Sequence, residues 1–264
     1  MPDNINNMAN ERVTAVPAFS DNYSWLLHSS NATQVAIVDP GDAGVVIDAL
    51  TKLSLTPCAI LITHHDHDHI SGILEVLMHF QVPVYGSALG NIPGLTHPLT
   101  EGDHITLDNG LAFSIMATPG HTNDHICYVS SQTLLSGDTL FAGGCGRLRE
   151  GTAKQLYESL AKIRALPEQL KVYCGHEYTL SNLRFALEVE PNNQALKDRY
   201  SEVEVLRKNK HCTLPTTLAI EKQTNPFLRW DQPAIITSVE KFAGRSLKNG
   251  SDVFAVLRYW KDTF

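Results

Sequence analysis

The sequence predicts an α/β fold over residues 13–178 and a smaller, mainly helical region over residues 179–264. In the first region, short β-branched apolar runs such as Val35–Val38 alternate with stretches whose apolar residues recur at helical spacing. In the second region only the helical spacing recurs, as in the pair Leu183 and Leu187. Several strand-like runs also end in a histidine or an aspartate, which is where α/β sheets gather their ligand-binding residues.

The composition is that of a folded protein with ample apolar material for a core. Of the 264 residues, 43% are hydrophobic and 19% are charged, which is ordinary for globular domains. The net charge is −7 and no long basic run occurs, so we expect neither nucleic acid nor an anionic membrane as a partner. No run approaches the ~20 apolar residues that span a bilayer.

The number of cysteines and the character of the N-terminal residues indicate the cellular compartment in which the protein resides. The five cysteines are odd in number and show no paired spacing, which predicts a reducing environment. Residues 1–12 are polar and lack the apolar core of a signal peptide, so we expect them to form a flexible leader. Together these features predict a cytoplasmic protein.

The most informative segment is Thr63–His69, with the sequence THHDHDH. It follows a predicted buried strand of sequence AILI and precedes a predicted helix. Imidazole and carboxylate groups are the usual protein ligands of Zn, Fe and Mn. His64 and Asp66 are two residues apart, so in an extended chain they point the same way and can share an ion. The next pair, Asp68 and His69, lies at the turn into the helix and would face a second ion.

Three distant segments repeat this placement of a polar residue at a strand end. His121, Asp138 and His176 each follow a predicted strand, and each lies beside a glycine. A single histidine after a strand is more often a capping or hydrogen-bonding residue. Four segments with the same placement favour a shared metal centre at one edge of the fold.

With these residues assembled, the sequence resembles the metallo-β-lactamase superfamily and, within it, glyoxalase II, the hydroxyacylglutathione hydrolases. The metal motif is typical of the whole superfamily. The thioesterase branch is indicated by the segments GDTLFAGGCGR, CGHEYTLSNLRFA and LRYWKDTF, which begin at Gly137, Cys174 and Leu257. The resemblance covers the chain from about Val13 to Phe264.

The resemblance implies a four-layer αββα sandwich, with residues 13–178 as the catalytic domain and residues 179–264 as an α-helical substrate-binding domain. It also implies two divalent metal ions, zinc first, with iron or manganese as alternatives. Asp68 would orient the attacking hydroxide as well as bind metal, and Asp138 would bridge the two ions. The implied ligands of the first ion are His64, Asp66 and His121, and those of the second are Asp68, His69 and His176.

Asp66 departs from the family pattern, in which a histidine usually occupies this position. Beginning the motif at His65 does not remove the departure, because His69 would then stand where an aspartate belongs. A third carboxylate lowers the net positive charge of the centre and favours iron or manganese over zinc. We expect Asp66 to bind a metal ion; the alternative is that a water molecule takes its place.

The resemblance further implies a glutathione thioester as substrate, a small molecule with two carboxylates. Arg147 corresponds to a Lys or Arg that meets the glycine end of glutathione, and Tyr178 would offer its hydroxyl group. Arg258 and Lys261 are three residues apart on the predicted last helix, hence on one face, and would bind the same carboxylate. Arg149 stands at a position that is often aromatic in relatives, and no role is assigned to it.

The predicted activity is hydrolysis of S-D-lactoylglutathione to D-lactate and glutathione by a metal-bridging hydroxide, the second step of methylglyoxal detoxification, in a monomer. Cys145 and Cys174 lie near the motifs, but we interpret them as packing residues, because His176 is better used as a ligand than as a base. Two alternatives remain. One is a glutathione-dependent persulfide dioxygenase with a single iron, and the other is an inactive binder of glutathione conjugates whose site is damaged by Asp66.

Overall fold

The computed structural model describes residues 12–28 and 33–264. The first sheet contains six strands that follow one another in chain order across the sheet. They are β1 (Arg12–Ala18), β2 (Asn22–His28), β3 (Gln34–Val38), β4 (Thr56–Leu61), β5 (Val84–Ser87) and β6 (His97–Leu99). The first three strands pair antiparallel, and the pairs from β3 to β6 are parallel. The predicted leader lies outside the described residues except for Arg12, which begins β1.

The second sheet also contains six strands, with the order β14-β13-β10-β9-β8-β7. Their bounds are β7 (His104–Thr106), β8 (Ala112–Ala117), β9 (Ile126–Val129), β10 (Thr133–Gly137), β13 (Lys171–Cys174) and β14 (Thr216–Thr217). β10 and β13 pair parallel, whereas the other neighbours pair antiparallel. A short hairpin of β11 (Leu140–Phe141) and β12 (Gly144–Cys145) follows β10.

Helices pack on the outer face of each sheet. Those of the first sheet are α1 (Ala43–Leu53), α2 (His67–Ile70) and α3 (Ile73–His79). The later helices are α4 (Ala153–Arg164), α5 (Thr179–Val189), α6 (Gln194–Lys208), α7 (Leu218–Thr224), α8 (Pro233–Ala243) and α9 (Gly250–Thr263), with a 3-10 turn at Pro226–Leu228. The order of helices, sheet, sheet and helices confirms the predicted four-layer αββα sandwich.

Alternation along the strands separates three apolar layers. In β3, Ala36 and Val38 belong to the core between the two sheets, whereas Val35 and Ile37 belong to the core under α1 and α3. On the far side of the second sheet, Val172 of β13 packs with apolar residues of α4, α8 and α9. Since successive strand residues point to opposite faces, each sheet is buried on both sides.

The helix predicted directly after the histidine-rich segment is divided into α2 and α3 at Ser71 and Gly72. The Gly72 amide donates to Pro40 O at 3.0 Å, and a Cβ at this position would lie 2.4 Å from that oxygen. Only a glycine fits so close an approach of two backbones. The contact holds α2, which carries Asp68 and His69, against the loop that follows β3.

The region after Thr179 is mainly helical, and it shares its core with the second sheet. β14 extends that sheet, and Phe254 and Leu257 of α9 pack in the same apolar layer as α4. Over residues 12–28 and 33–264, no helix combines the length and the apolar character needed to cross a membrane.

Phe254 anchors α9 on the sandwich, because its ring is fully buried and contacts the rings of Tyr157, Phe227 and Trp230. We expect Phe254→Ala to lower the free energy of unfolding by about 3–5 kcal/mol, since a large cavity is left in a packed core. Urea denaturation at a fixed metal concentration measures the change. Tyr259→Ala, on the exposed side of the same helix, is the control and should change stability by about 0.5 kcal/mol or less; equal losses would contradict the assigned anchor.

Candidate metal centre

The seven predicted metal ligands come together at one edge of the sandwich, although they belong to four separate segments. Four of them follow β4 or lie in α2, and the other three follow β8, β10 and β13. The donor atoms form three groups, each with its members within 4.8 Å of one another: His64, Asp66 and His121; His64, His69 and Asp138; Asp68, His69 and His176.

Two of the histidines are held from behind by hydrogen bonds from Nδ1. His121 Nδ1 donates to Arg147 O at 2.8 Å, and His176 Nδ1 donates to Asp21 Oδ1 at 2.8 Å. With Nδ1 bonded in this way, Nε2 of each ring faces the centre, toward Asp66 in the case of His121 and toward Asp138 in the case of His176. This is the usual arrangement of metal-binding histidines, whose outer partner fixes both the tautomer and the ring orientation.

Asp39 organises the other two histidines. Its Oδ2 accepts from His69 Nδ1 at 3.1 Å and from Thr63 Oγ1 at 2.7 Å. Because Thr63 directs its single hydroxyl proton to Asp39, Thr63 Oγ1 accepts from His64 Nδ1, which lies 3.0 Å away. One buried carboxylate thus selects the tautomer of both rings and directs both Nε2 atoms inward.

Three buried atoms at the centre have no hydrogen-bond partner within the described part of the chain: His64 Nε2, His69 Nε2 and Asp138 Oδ1. His69 Nε2 and Asp138 Oδ1 lie 3.5 Å apart. Each unpaired buried polar group costs about 1–3 kcal/mol, so three together indicate that a bound group completes the centre. Imidazole nitrogens and carboxylate oxygens are donors for divalent cations, and the donor groups fit a dinuclear centre.

Asp138 lies between the two outer donor groups. Its Oδ2 is 3.2 Å from His176 Nε2 and 3.6 Å from His121 Nε2. Burial alone would raise the pKa of Asp138, but the positive charges of His69 and His176 lower this pKa well below its usual range. Burial, together with the neighbouring His69, lowers the pKa of His64. The centre therefore combines an ionised carboxylate with a neutral imidazole donor, as metal binding requires.

Asp68 is the most accessible carboxylate of the centre, with 41% of its side chain exposed. Its Oδ2 accepts from Asn22 Nδ2 at 2.8 Å and lies 3.4 Å from His176 Nε2. Burial opposes ionisation, but the charge of His69 and the hydrogen bond from Asn22 lower the pKa of Asp68. It is an ionised group in a fixed position that water can reach from the cavity.

Asp66, the residue that departs from the family pattern, is buried and faces two imidazoles. Its Oδ2 lies 3.1 Å from His121 Nε2 and 3.5 Å from His64 Nε2. Burial would raise the pKa of Asp66, but the hydrogen bonds and charges of His121 and His64 lower it far below its usual range. The same Oδ2 also accepts a hydrogen bond from Arg149. Arg149, to which the sequence assigned no role, is thus the ion-pair partner of Asp66.

A cavity of about 470 Å³ opens from the centre toward the C-terminal helix. Arg147 lines it, and Tyr178 lies in its wall with its ring stacked on His176 at a centroid distance of 4.6 Å. Ser181 and Asn182 of α5 complete this side. The cavity therefore joins the metal ligands to cationic and hydroxyl groups that suit an anionic, polar substrate.

The two cations of α9 that line the cavity have different surroundings. Arg258 is buried and donates to Cys145 O at 3.0 Å and to Asp262 Oδ1 at 2.9 Å, so it also fixes the loop before Arg147. Lys261 has no carboxylate within ion-pairing distance among the described residues; its Nζ lies 5.1 Å from the ring centre of Phe185. Burial and the nearby Arg258 lower the pKa of Lys261. The positive charge of Lys261 is therefore available to an anionic ligand in the cavity.

Neither cysteine near the motifs has the environment of a nucleophile. Burial raises the pKa of Cys145 to about 11, and it raises the pKa of Cys174 further. A thiol of this kind stays protonated near neutral pH, and the thiolate is the reactive form. The interpretation of both as packing residues agrees with their burial.

Several residues that shape the centre did not emerge from the sequence. Asp39, Asp21 and Asn22 hold the ligands from behind, and none of them belongs to a histidine motif. Asp39 follows a predicted strand in the same way as the ligands do, and this placement is the signal that marks it. Asp21 lies in the turn before β2 and Asn22 is the first residue of that strand; polar residues are ordinary at such places and carry no comparable signal.

Asp39 allows a test of the residues that hold the predicted metal ligands from behind by hydrogen bonds. We expect Asp39→Asn to weaken metal binding by about 10- to 100-fold, because a neutral amide holds His69 and Thr63 less strongly than a carboxylate does. Competition with a chromogenic chelator measures the affinity. Asp42→Asn, at the N-terminus of α1, is the matched control and should leave the affinity unchanged; an Asp39 variant that binds metal as tightly as the native chain would refute the role.

Two family models together match nearly the whole chain. Residues 19–176 match the metallo-beta-lactamase superfamily, and residues 177–264 match the hydroxyacylglutathione hydrolase C-terminus. The first match covers β2 to β13 and all seven predicted ligands, and the second covers β14 and the helices that close the cavity.

Curated relatives and solved structures agree with these matches. The hydroxyacylglutathione hydrolase of Nitrosomonas europaea is 49% identical over 253 residues, which are 96% of each chain. That of Alkalilimnicola ehrlichii is 50% identical over 95% of this chain and 98% of its own. Among solved structures, ETHE1 from Myxococcus xanthus has a TM-score of 0.64 and 25% identity, covering 96% of this chain and 98% of its own. On this evidence the chain belongs to the hydroxyacylglutathione hydrolase family, within the metallo-β-lactamase superfamily.

Proposed function

We propose that this protein hydrolyses S-D-lactoylglutathione to D-lactate and glutathione, the second step of methylglyoxal detoxification. One observation carries the proposal: four histidines direct Nε2 toward three ionised aspartates beside a cavity lined by cations, and the Nε2 atoms of His64 and His69 have no hydrogen-bond partner among the described residues. Membership of the hydroxyacylglutathione hydrolase family supports the choice of a glutathione thioester over other esters and amides.

Two divalent ions, zinc first and iron or manganese as alternatives, are the cofactors that we propose. The first would be held by His64, Asp66 and His121, and the second by Asp68, His69 and His176, with Asp138 shared between them. When bound, such ions polarise a carbonyl oxygen and make a coordinated water molecule more acidic. The Nε2 atoms of His64 and His69, which are buried and have no hydrogen-bond partner among the described residues, would be donors in this binding.

The aspartates have separate tasks in the proposed reaction. Asp68, held by Asn22 and open to the cavity, accepts a hydrogen bond from the attacking water and orients it toward the acyl carbon. Asp138, buried between the donor groups, keeps their spacing constant. Water adds to the thioester carbonyl, the C–S bond breaks, and glutathione leaves as a thiolate, whose conjugate acid has a pKa of ~8.5.

We assign recognition of the glutathione portion to the cavity wall opposite the aspartates. Arg147 and Lys261 bind carboxylate groups, Tyr178 donates its hydroxyl, and Arg258 both lines the cavity and holds the loop before Arg147. Residues 13–178 form the catalytic domain in this proposal, and residues 179–264 form the substrate-binding domain. The protein would act on this small molecule as a monomer in the cytoplasm, with no nucleic acid or membrane partner.

The primary test is thiol release from S-D-lactoylglutathione by the purified protein, with bound metals counted on the same sample. We expect rapid release with close to two ions per chain, and Asp138→Asn should reduce both, because it removes the shared carboxylate. Asp108→Asn, in the exposed turn before β8, is the control. Conjugate binding without release would favour the inactive binder, and oxygen consumption with glutathione persulfide and one iron would favour the dioxygenase.

Lys261 tests substrate binding separately from chemistry. We expect Lys261→Met to raise KM by about 10- to 100-fold with little change in kcat, since a hydrogen bond to a charged group contributes about 1.5–3 kcal/mol and lies far from the reacting bond. Steady-state kinetics with the same thioester measure both constants. Lys154→Met, whose side chain is 77% exposed on α4, should change neither. A fall in kcat with KM unchanged would place Lys261 outside the binding site.

A further inference from the structure

Asp66 and Arg149 are 83 residues apart in the chain and meet at the first group of metal donors. The contact joins an Arg149 guanidinium nitrogen to Asp66 Oδ2. This is the same oxygen that lies 3.1 Å from His121 Nε2 and 3.5 Å from His64 Nε2. The arginine therefore holds the one carboxylate oxygen that faces the two imidazole nitrogens of this group.

The loop that carries Arg149 is fixed to the metal ligand His121. The amides of Arg149 and Glu150 both donate to His121 O, at 3.1 and 3.2 Å, and His121 Nδ1 donates to Arg147 O. Glu150 Oε1 lies 3.1 Å from Nε2 of His65, next to the other donors. Arg149 is thus positioned at the centre by its own backbone, and its contact with Asp66 is not a chance meeting of two surface side chains.

The two partners differ in burial, and this determines which of them can move. Asp66 has 6% of its side chain exposed, whereas Arg149, which lines the cavity, has 47% exposed. A guanidinium group keeps its charge at all accessible pH values. The buried carboxylate is therefore a fixed ligand, and the arginine is a cation that can remain on it or turn toward solvent.

A guanidinium and a divalent ion at this position compete for the same electron pairs. Both are positive, and both approach Asp66 Oδ2, so the arginine weakens the carboxylate as a donor and repels the ion. Charges interact more strongly in a partly buried site than in bulk water. Removing the guanidinium should consequently strengthen the binding of the ion, even though it removes an ion pair from the protein.

We propose that Arg149 sets how tightly the first metal position holds its ion, by binding the ligand oxygen of Asp66. The inference rests on the proposed function in one respect, since it takes His64, Asp66 and His121 to be the first metal position. Arg149 is a positioning residue here, because it acts on the ion through Asp66. Arg149 also lines the cavity that opens from the centre.

The test is a double-mutant cycle on the zinc-loaded protein, with release of zinc to a chromogenic chelator as the measurement. Two ions should leave in two phases. We expect Arg149→Met to slow one phase by at least about tenfold and to leave the other unchanged. In the Asp66→His background, Arg149→Met should change neither phase by more than about twofold, because the unpaired guanidinium turns to solvent. The difference between the two backgrounds is the coupling that defines the pair.

Arg147→Met is the matched control, because it removes an equal charge from the same cavity, and none of the described contacts joins Arg147 to Asp66. It should leave both release phases unchanged. The proposal is overturned if Arg149→Met accelerates release, slows both phases, or has the same effect in the Asp66→His background.

Thiol release measured on the same samples separates this inference from the proposed function. If the native chain holds two ions and shows the coupling but does not cleave the thioester, the hydrolase proposal fails and the role of Arg149 stands. If it cleaves the thioester with two ions bound and shows no coupling, only the role of Arg149 fails.

Discussion

The structure depends on keeping several buried carboxylates ionised beside several buried imidazoles. Asp66 and Asp138 are almost fully inaccessible to solvent. Burying an isolated charge in such a position costs more free energy than the net stability of a folded domain. The histidines offset part of this cost, as the lowered pKa values of both aspartates indicate. The remaining unpaired atoms, His64 Nε2 among them, contribute an unfavourable free energy that bound cations would remove. Folding and metal binding are therefore expected to be coupled in this protein.

The architecture explains how one chain can assemble such a centre. The sheets are buried on both faces, so their strands are rigid and their ends are fixed relative to one another. The segment after β4 carries four of the predicted ligands, the ends of β8, β10 and β13 carry one each, and short polar side chains behind them restrain the rings. Asp39 has a positive φ of 47°, a conformation that aspartate tolerates better than most residues, and there it restrains His64 and His69 together. The geometry of the centre therefore depends on these hydrogen-bonding side chains behind the ligands as much as on the ligands themselves.

Sequence reasoning succeeded where a local pattern carries the information. Strand and helix periods predicted an α/β region followed by helices, the resemblance implied the αββα arrangement of the layers, and the polar residues at strand ends predicted residues that surround the centre. It could not give the break at Gly72, which arises from a backbone contact with Pro40. Nor could it give the pairing of Asp66 with Arg149, because nothing in either segment specifies a partner 83 residues away. Long-range side-chain contacts of this kind are settled by the tertiary fold, as is the hydrogen bond from Arg258 to Cys145 O.

The pairing also changes the charge argument that the sequence alone suggests. Counted from the ligands, Asp66 adds a third negative charge to the centre, and a less positive centre should make a bound water less acidic. Arg149 returns one positive charge at the same oxygen, so the total of three carboxylates and one guanidinium equals that of two carboxylates. The negative charge of Asp66 is thus matched by the positive charge of Arg149 at the same oxygen. Because the two charges cancel and meet at one oxygen, Asp66 and Arg149 are best regarded as one feature of this chain.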